Sequence, residues 1–169
     1  MTRWTPRTLG IGAAAGACVI DLLHKFWMLQ IFDIQSRQPV HVAPFLDLVL
    51  VWNRGISYSL LTFDSKWGRF LLLGFILAAS IFIIYLMWTA ANRWLGLGFG
   101  LIAGGALGNL IDRLINGAVA DIFYFFLETE RWGRLSWYVF NLADVAIVAG
   151  VALLLYEAFF VEKVKDQHE

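Results

Sequence analysis

The chain has a single cysteine, Cys18, which excludes an internal disulfide, a thiol redox pair and any Cys-rich zinc site. Its three histidines, His24, His41 and His168, are scattered, and no H-E-x-x-H occurs, so a metalloprotease reading has no support. Charge is scarce as well. Lysines and arginines number 13 and so do aspartates and glutamates, which gives a net charge of zero and no electrostatic footprint for nucleic acid.

What the chain has in excess is apolar length. Sixty per cent of its 169 residues are hydrophobic (60%) and 15% are charged, a balance that suits a polytopic membrane protein rather than a water-soluble domain. Four spans are expected, at about 9–32, 70–90, 94–114 and 138–160, in a single integral membrane domain covering residues 1–169. The first is preceded by Arg3 and Arg7, as in a signal peptide. It is long enough to span, however, and it carries Asp21, His24 and Lys25, so it reads as a retained helix. Asp21 and Lys25 are four residues apart and share a helix face. They read first as an internal ion pair that offsets the cost of each charge, and second as direct chemistry.

Two loops lie on one side of these spans. In residues 33–67, the run Leu46–Trp52 and the run Ile56–Phe63 flank Asn53-Arg54-Gly55, a pattern for two strands about a turn. Such a pair needs a packing surface, so a small sheet on the helix bundle is expected. In residues 115–137, aromatic residues alternate irregularly with Glu128, Glu130, Arg131 and Arg134, which predicts a short amphipathic helix or lid at the bilayer interface. Basic residues at the termini and in the short link at Arg93 are denser than in these loops, which places both termini in the cytoplasm.

The third span ends in GGALGNLIDRLINGAVAD, residues 104–121. Its glycines at 100, 104 and 108 suit close helix packing. Asn109, Asp112 and Arg113 are polar groups at membrane depth, costly unless buried and useful. Asn109 and Arg113 share a face, as do Asn141 and Asp144 in the fourth span. Asp112 is expected to serve packing or to orient Arg113. Asp121 lies just past the third span, and Asp144 about six residues into the fourth, roughly 9 Å below the same surface. Two carboxylates that meet there would share a proton, one acting as general base on a water and the other as general acid toward a carbonyl. The same residues are also compatible with a register-fixing polar network or with a proton-coupled transporter. The latter should show internal repeats, and the sequence has none.

Five motifs in order resemble one family, the lipoprotein signal peptidases or signal peptidase II. They are D-x-x-x-K at Asp21 and Lys25, N-x-G at Asn53 and Gly55, and G-N-x-x-D-R at Gly108, Asn109, Asp112 and Arg113. G-x-V-x-D follows at Gly117, Val119 and Asp121, and F-N-x-A-D at Phe140, Asn141, Ala143 and Asp144. The resemblance implies an α-helical membrane protein of four transmembrane helices with a small extracytoplasmic β-sheet. It implies an aspartic endopeptidase of the bacterial inner membrane that cuts diacylglyceryl-modified prolipoproteins just before the lipidated cysteine. The active site would lie near the outer face, in contact with membrane lipid, in a monomer without metal or organic cofactor. The dyad carries over to Asp121 and Asp144. Asn53, Gly55, Asn109, Arg113 and Asn141, with Asp21 and Lys25, carry over as pocket or supporting residues. The chain departs from the family at Ile122, where Phe is usual, at Ser57-Tyr58-Ser59 in place of Ala-Phe-Gly, and in a longer stretch between the two aspartates.

Overall fold

The computed structural model describes residues 4–55 and 66–161. Within them four helices are long and apolar enough to cross a membrane: Pro6–Ile31, Phe70–Trp88, Arg93–Asn116 and Leu142–Phe160. The protein is a multi-pass membrane protein. Helix α1 (Pro6–Phe26) starts with Pro6 at its first position and Thr5 as cap, whose hydroxyl accepts from the Thr8 amide at 3.2 Å. It continues through a wider π turn (Trp27–Ile31). The one-turn α2 (Ile34–Arg37) and strands β1 (Val40–Ala43) and β2 (Leu46–Asn53) follow. Next come α3 (Lys66–Trp88), α4 (Arg93–Asn116), β3 (Val119–Thr129), β4 (Gly133–Ser136) and α5 (Leu142–Tyr156), which ends in a π turn (Glu157–Val161).

Helix α4 is the axis of the bundle, packed between α1 and α5 with α3 beside it. Its glycines make this possible. A Cβ at Gly100 would overlap the backbone of Gly10, one at Gly104 the backbone of Ala14, and one at Gly105 the carbonyl of Ala143. The small residues let the backbones touch, so dispersion between helices replaces the hydrophobic drive that lipid cannot supply. Large side chains elsewhere, Phe70, Leu71, Phe75 and Phe82 on α3 among them, remain exposed, as a lipid-facing surface requires.

Gly117 ends α4 in the left-handed conformation (φ 72°), which favours glycine. Two residues later the chain enters β3. The four strands form one antiparallel sheet in the order β1-β2-β3-β4, with Val51 opposite Asp121 and Asn53 opposite Val119. A register shift interrupts the β2–β3 pairing between Leu48 and Val51. Met28, Ile34 and Ile122 are buried together beneath the sheet, flanked by Leu29, Phe32, Val40, Leu48 and Leu50. Ile122 is therefore a core residue.

Four transmembrane helices and a small sheet are as expected, but the second loop differs. The amphipathic helix predicted within residues 115–137 is a β-hairpin of β3 and β4. Leu127 faces Leu135 and Glu128 faces Arg134 across it, with Arg134 donating to Glu128 at 2.6 and 2.8 Å. Aromatic and charged residues are mixed in either element. What decides is the partner: β3 completes the free edge of β2, and its aromatic residues suit a pleated surface. The strand expected at Ile56–Phe63 lies outside the described residues, as do Ser57-Tyr58-Ser59. The partners of β2 among the described residues are β1 and β3. The fourth helix also starts later than expected, at Leu142 rather than near 138.

Candidate active site

Asn141 caps α5. Its side-chain oxygen accepts the Asp144 amide at 3.0 Å, and its own amide donates to Asp144 Oδ2 at 3.1 Å. The two form a reciprocal capping box in the first turn. Asp144 is thus the third residue of its helix, at the mouth, and not several residues inside. A carboxylate there is favoured by the positive end of the helix dipole. Its other oxygen, Oδ1, accepts from Asn109 Nδ2 at 3.0 Å.

Asp121 arrives from the opposite direction, on β3. Asn141 Nδ2 donates to its Oδ1 at 2.6 Å, and Asn53 Nδ2 to its Oδ2 at 3.1 Å. Asn53 cannot turn its amide over freely, because its oxygen accepts from the Gly55 amide at 3.1 Å. The N-x-G motif is therefore an Asx turn that aims a donor. Gly55 is held in turn by Arg113, whose Nη2 donates to the Gly55 carbonyl at 2.9 Å while Nη1 donates to the Asn109 carbonyl at 3.2 Å. Strand β3 is fixed against α5 by a two-way backbone pair: Phe140 donates to Phe123 at 3.0 Å, and Phe123 to Phe140 at 2.8 Å. This exchange sets Asn141 beside Asp121.

Asn53, Asn109, Arg113, Asp121, Asn141 and Asp144 all line one cavity of about 260 Å3. The remaining wall is apolar and comes largely from α3, with Phe75, Ile76, Ala79 and the buried Ser80. Asp121 is 4% exposed. Burial first, and the charge of Asp144 second, push its carboxyl up to about 6, against the donors Asn53 and Asn141 and the more distant Lys25. Two carboxyl groups facing one low-dielectric pocket are able to share a proton, which general acid–base work requires. Among the described residues no three His, Cys, Asp or Glu side chains converge as metal ligands.

Asp21 and Lys25 are not in the cavity wall. They are buried behind it, 2.9 Å apart as an ion pair, and Lys25 also lies 3.2 Å from Asp112 and donates to Asn109 Oδ1 at 3.0 Å. Asp112 does not orient Arg113. Its Oδ2 accepts the Ala120 amide at 2.8 Å and its Oδ1 accepts from Asn116 at 2.6 Å. Asp112 points toward α1 and the start of β3, whereas Arg113, one residue on, points into the cavity. Ser80 was not singled out from the sequence, although the one serine of α3 in an otherwise apolar wall was a signal.

A family model described as signal peptidase (SPase) II matches residues 13–160. A lipoprotein signal peptidase of Beijerinckia indica subsp. indica is 50% identical over 160 residues, 94% of this chain and 92% of that protein. One from Methylocella silvestris is 49% identical over 156 residues, 92% and 88% of the two chains. Among solved structures, a bacterial membrane enzyme determined by the in meso method at 1.9 Å superposes with a TM-score of 0.68. It is 25% identical and the match covers 89% of this chain and 92% of that one.

Proposed function

The chain belongs to the signal peptidase II family, a family of aspartic-type peptidases, and functions as a lipoprotein signal peptidase; from that premise we propose that Asp121 and Asp144 are its catalytic dyad. The observation that carries the proposal is the convergence of both carboxylates on one cavity, each oxygen held by a separate donor.

Asp144, at the mouth of α5 with its oxygens bonded to Asn109 Nδ2 and the Asn141 amide, acts as the base. Asp121, with its raised affinity for protons, carries the shared proton. A water between them gives its proton to Asp144 as its oxygen attacks the scissile carbonyl, and Asp121 donates to the carbonyl oxygen. The tetrahedral intermediate then collapses: as the C–N bond breaks, one of its hydroxyls returns a proton to Asp121 and the leaving amine takes the proton held by Asp144, which leaves the pair singly protonated again. The pair titrates as a unit, so these roles describe the singly protonated form. Asn53, Asn109 and Asn141 orient the carboxylates, and Arg113 and Gly55 hold Asn53 in place.

The substrate is a prolipoprotein. The cut falls just before its diacylglyceryl-modified cysteine, with the acyl chains in the bilayer beside the apolar α3 wall. The whole chain works as one integral unit of the bacterial inner membrane, both termini cytoplasmic. The cavity, between the C-terminal half of α4 and the N-terminal end of α5, then lies near the outer face.

The test uses protein purified in detergent and a synthetic diacylglyceryl-cysteine lipobox peptide, with products followed by mass. Wild type should cut immediately before the modified cysteine, while Asp121→Asn and Asp144→Asn, folded and inserted, should lose at least about a thousandfold in rate. Cleavage by either variant at the wild-type rate would remove that residue from the dyad.

A further inference from the structure

Behind the cavity lies a cluster that the proposed chemistry does not use. Asp21, Lys25 and Asp112 are 0%, 3% and 2% exposed. One lysine faces two carboxyl groups here, so a simple one-to-one ion pair is not a sufficient account of the cluster. The carboxylates have further contacts. Asp21 Oδ1 accepts the backbone amide of Ala143 at 2.9 Å. Asp112 Oδ2 accepts the backbone amide of Ala120 at 2.8 Å. Ala143 immediately precedes Asp144, and Ala120 immediately precedes Asp121.

Lys25 joins the two halves. Its Nζ has three oxygen neighbours, Asp21 Oδ2 at 2.9 Å, Asp112 Oδ2 at 3.2 Å and Asn109 Oδ1 at 3.0 Å, matching in number the three donors of an ammonium. Because the Asn109 oxygen faces Lys25, its nitrogen faces Asp144. Space for the arrangement comes from Gly108, where a Cβ would stand 2.8 Å from Asp21 Oδ2.

We propose that Lys25 is a positioning residue that sets the spacing of the two carboxylates. It ties together, through Asp21 and Asp112, the backbone amides that precede Asp144 and Asp121, and fixes the Asn109 amide against Asp144. The inference rests on the dyad reading above. An ammonium replaced by an apolar chain leaves the two amides on side chains that nothing joins. The strand and the helix mouth then drift apart, and a displacement of about 1 Å costs on the order of a hundredfold in rate.

The experiment measures kcat and kcat/KM against pH for wild type and Lys25→Met on the lipopeptide, with thermal unfolding of the same preparations. The two apparent pKa values of a carboxylate pair are held apart by their mutual repulsion, so the separation of the two limbs reports how close they are. Loss of the lysine charge alone moves both limbs upward together. Loss of spacing draws them toward each other. We expect kcat to fall by about a hundredfold with the limbs converging and KM little changed. Limbs that keep their separation, whether they shift together or stay in place, overturn the proposal and leave Lys25 a distant charge or a packing element.

Should Lys25→Met fail to fold, the paired variant Lys25→Met/Asp112→Asn carries the test. It retains the net charge of the cluster and a side-chain oxygen for Ala120, and the same convergence is expected. Failure of the dyad reading is a separate result, read from cleavage by Asp121→Asn or Asp144→Asn.

Discussion

Asn141 and Asp144 each hold the other's backbone amide, at 3.0 and 3.1 Å, and Asn141 spends its remaining donor on Asp121 at 2.6 Å. One side chain thus terminates a helix and links the two carboxylates. Asn141→Ala should lower stability by about 1–2 kcal/mol as a lost cap. It should also lower kcat by roughly ten- to a hundredfold, the worth of a charge-assisted hydrogen bond. Thermal unfolding and lipopeptide cleavage measured together check both. A stability loss with full kcat would make Asn141 a cap alone.

The raised proton affinity of Asp121 predicts a bell-shaped profile. The competent pair carries one proton, and Asp121 releases it near pH 6. Above that, kcat/KM should fall about tenfold per pH unit. Asn53→Leu removes a donor that favours the carboxylate, so its alkaline limb should move to higher pH. A limb that moves lower would contradict the assigned direction.

The same carboxyl predicts a stability effect with a definite sign. Folded Asp121 binds its proton up to about pH 6, and in the unfolded chain only to about pH 4. Between these values the folded state holds more protons, so stability falls as pH rises through the window. The loss is up to about 3 kcal/mol. Asp121→Asn lacks this term. Its melting temperature relative to wild type should therefore rise from pH 4 to pH 6 and level off above. A flat difference would mean that Asp121 titrates normally.

The glycines divide into two kinds. A Cβ at Gly105 would overlap the Ala143 carbonyl, next to Asp144, while one at Gly12 meets nothing within 4 Å. Gly105→Ala should cost about 1–3 kcal/mol through overpacking and reduce cleavage with it. Gly12→Ala should be neutral or stabilising by about 0.5–1 kcal/mol. Equal effects at the two positions, measured by unfolding in detergent, would refute the close α4–α5 contact.

The four spans were legible because apolar length is a local property of the chain, and the six Asn, Asp and Arg residues of the cavity were legible because motifs kept their order along it. The remainder depended on partners distant in sequence. Glu128 and Arg134 fit a helix surface as well as a hairpin until β2 offers its edge to β3. Asp144 appeared deep in a span because Tyr138 to Phe140 are as apolar as the helix that follows, and only the Asn141 cap marks the true start. Asp112 appeared to belong with its neighbour Arg113. Besides Asn116 one turn on, its contacts are Lys25, far earlier in the chain, and the Ala120 amide.

The ion pair within α1 bears on how the protein is made. Synthesis runs from the N-terminus, so α1 is made before α4. Asp21 and Lys25, one turn apart, give that first helix its own counter-ion during the interval. Once α4 arrives, Asn109 and Asp112 meet an ammonium already held in place. The order of synthesis therefore lets a helix with two charges wait in lipid for the partners that complete the site.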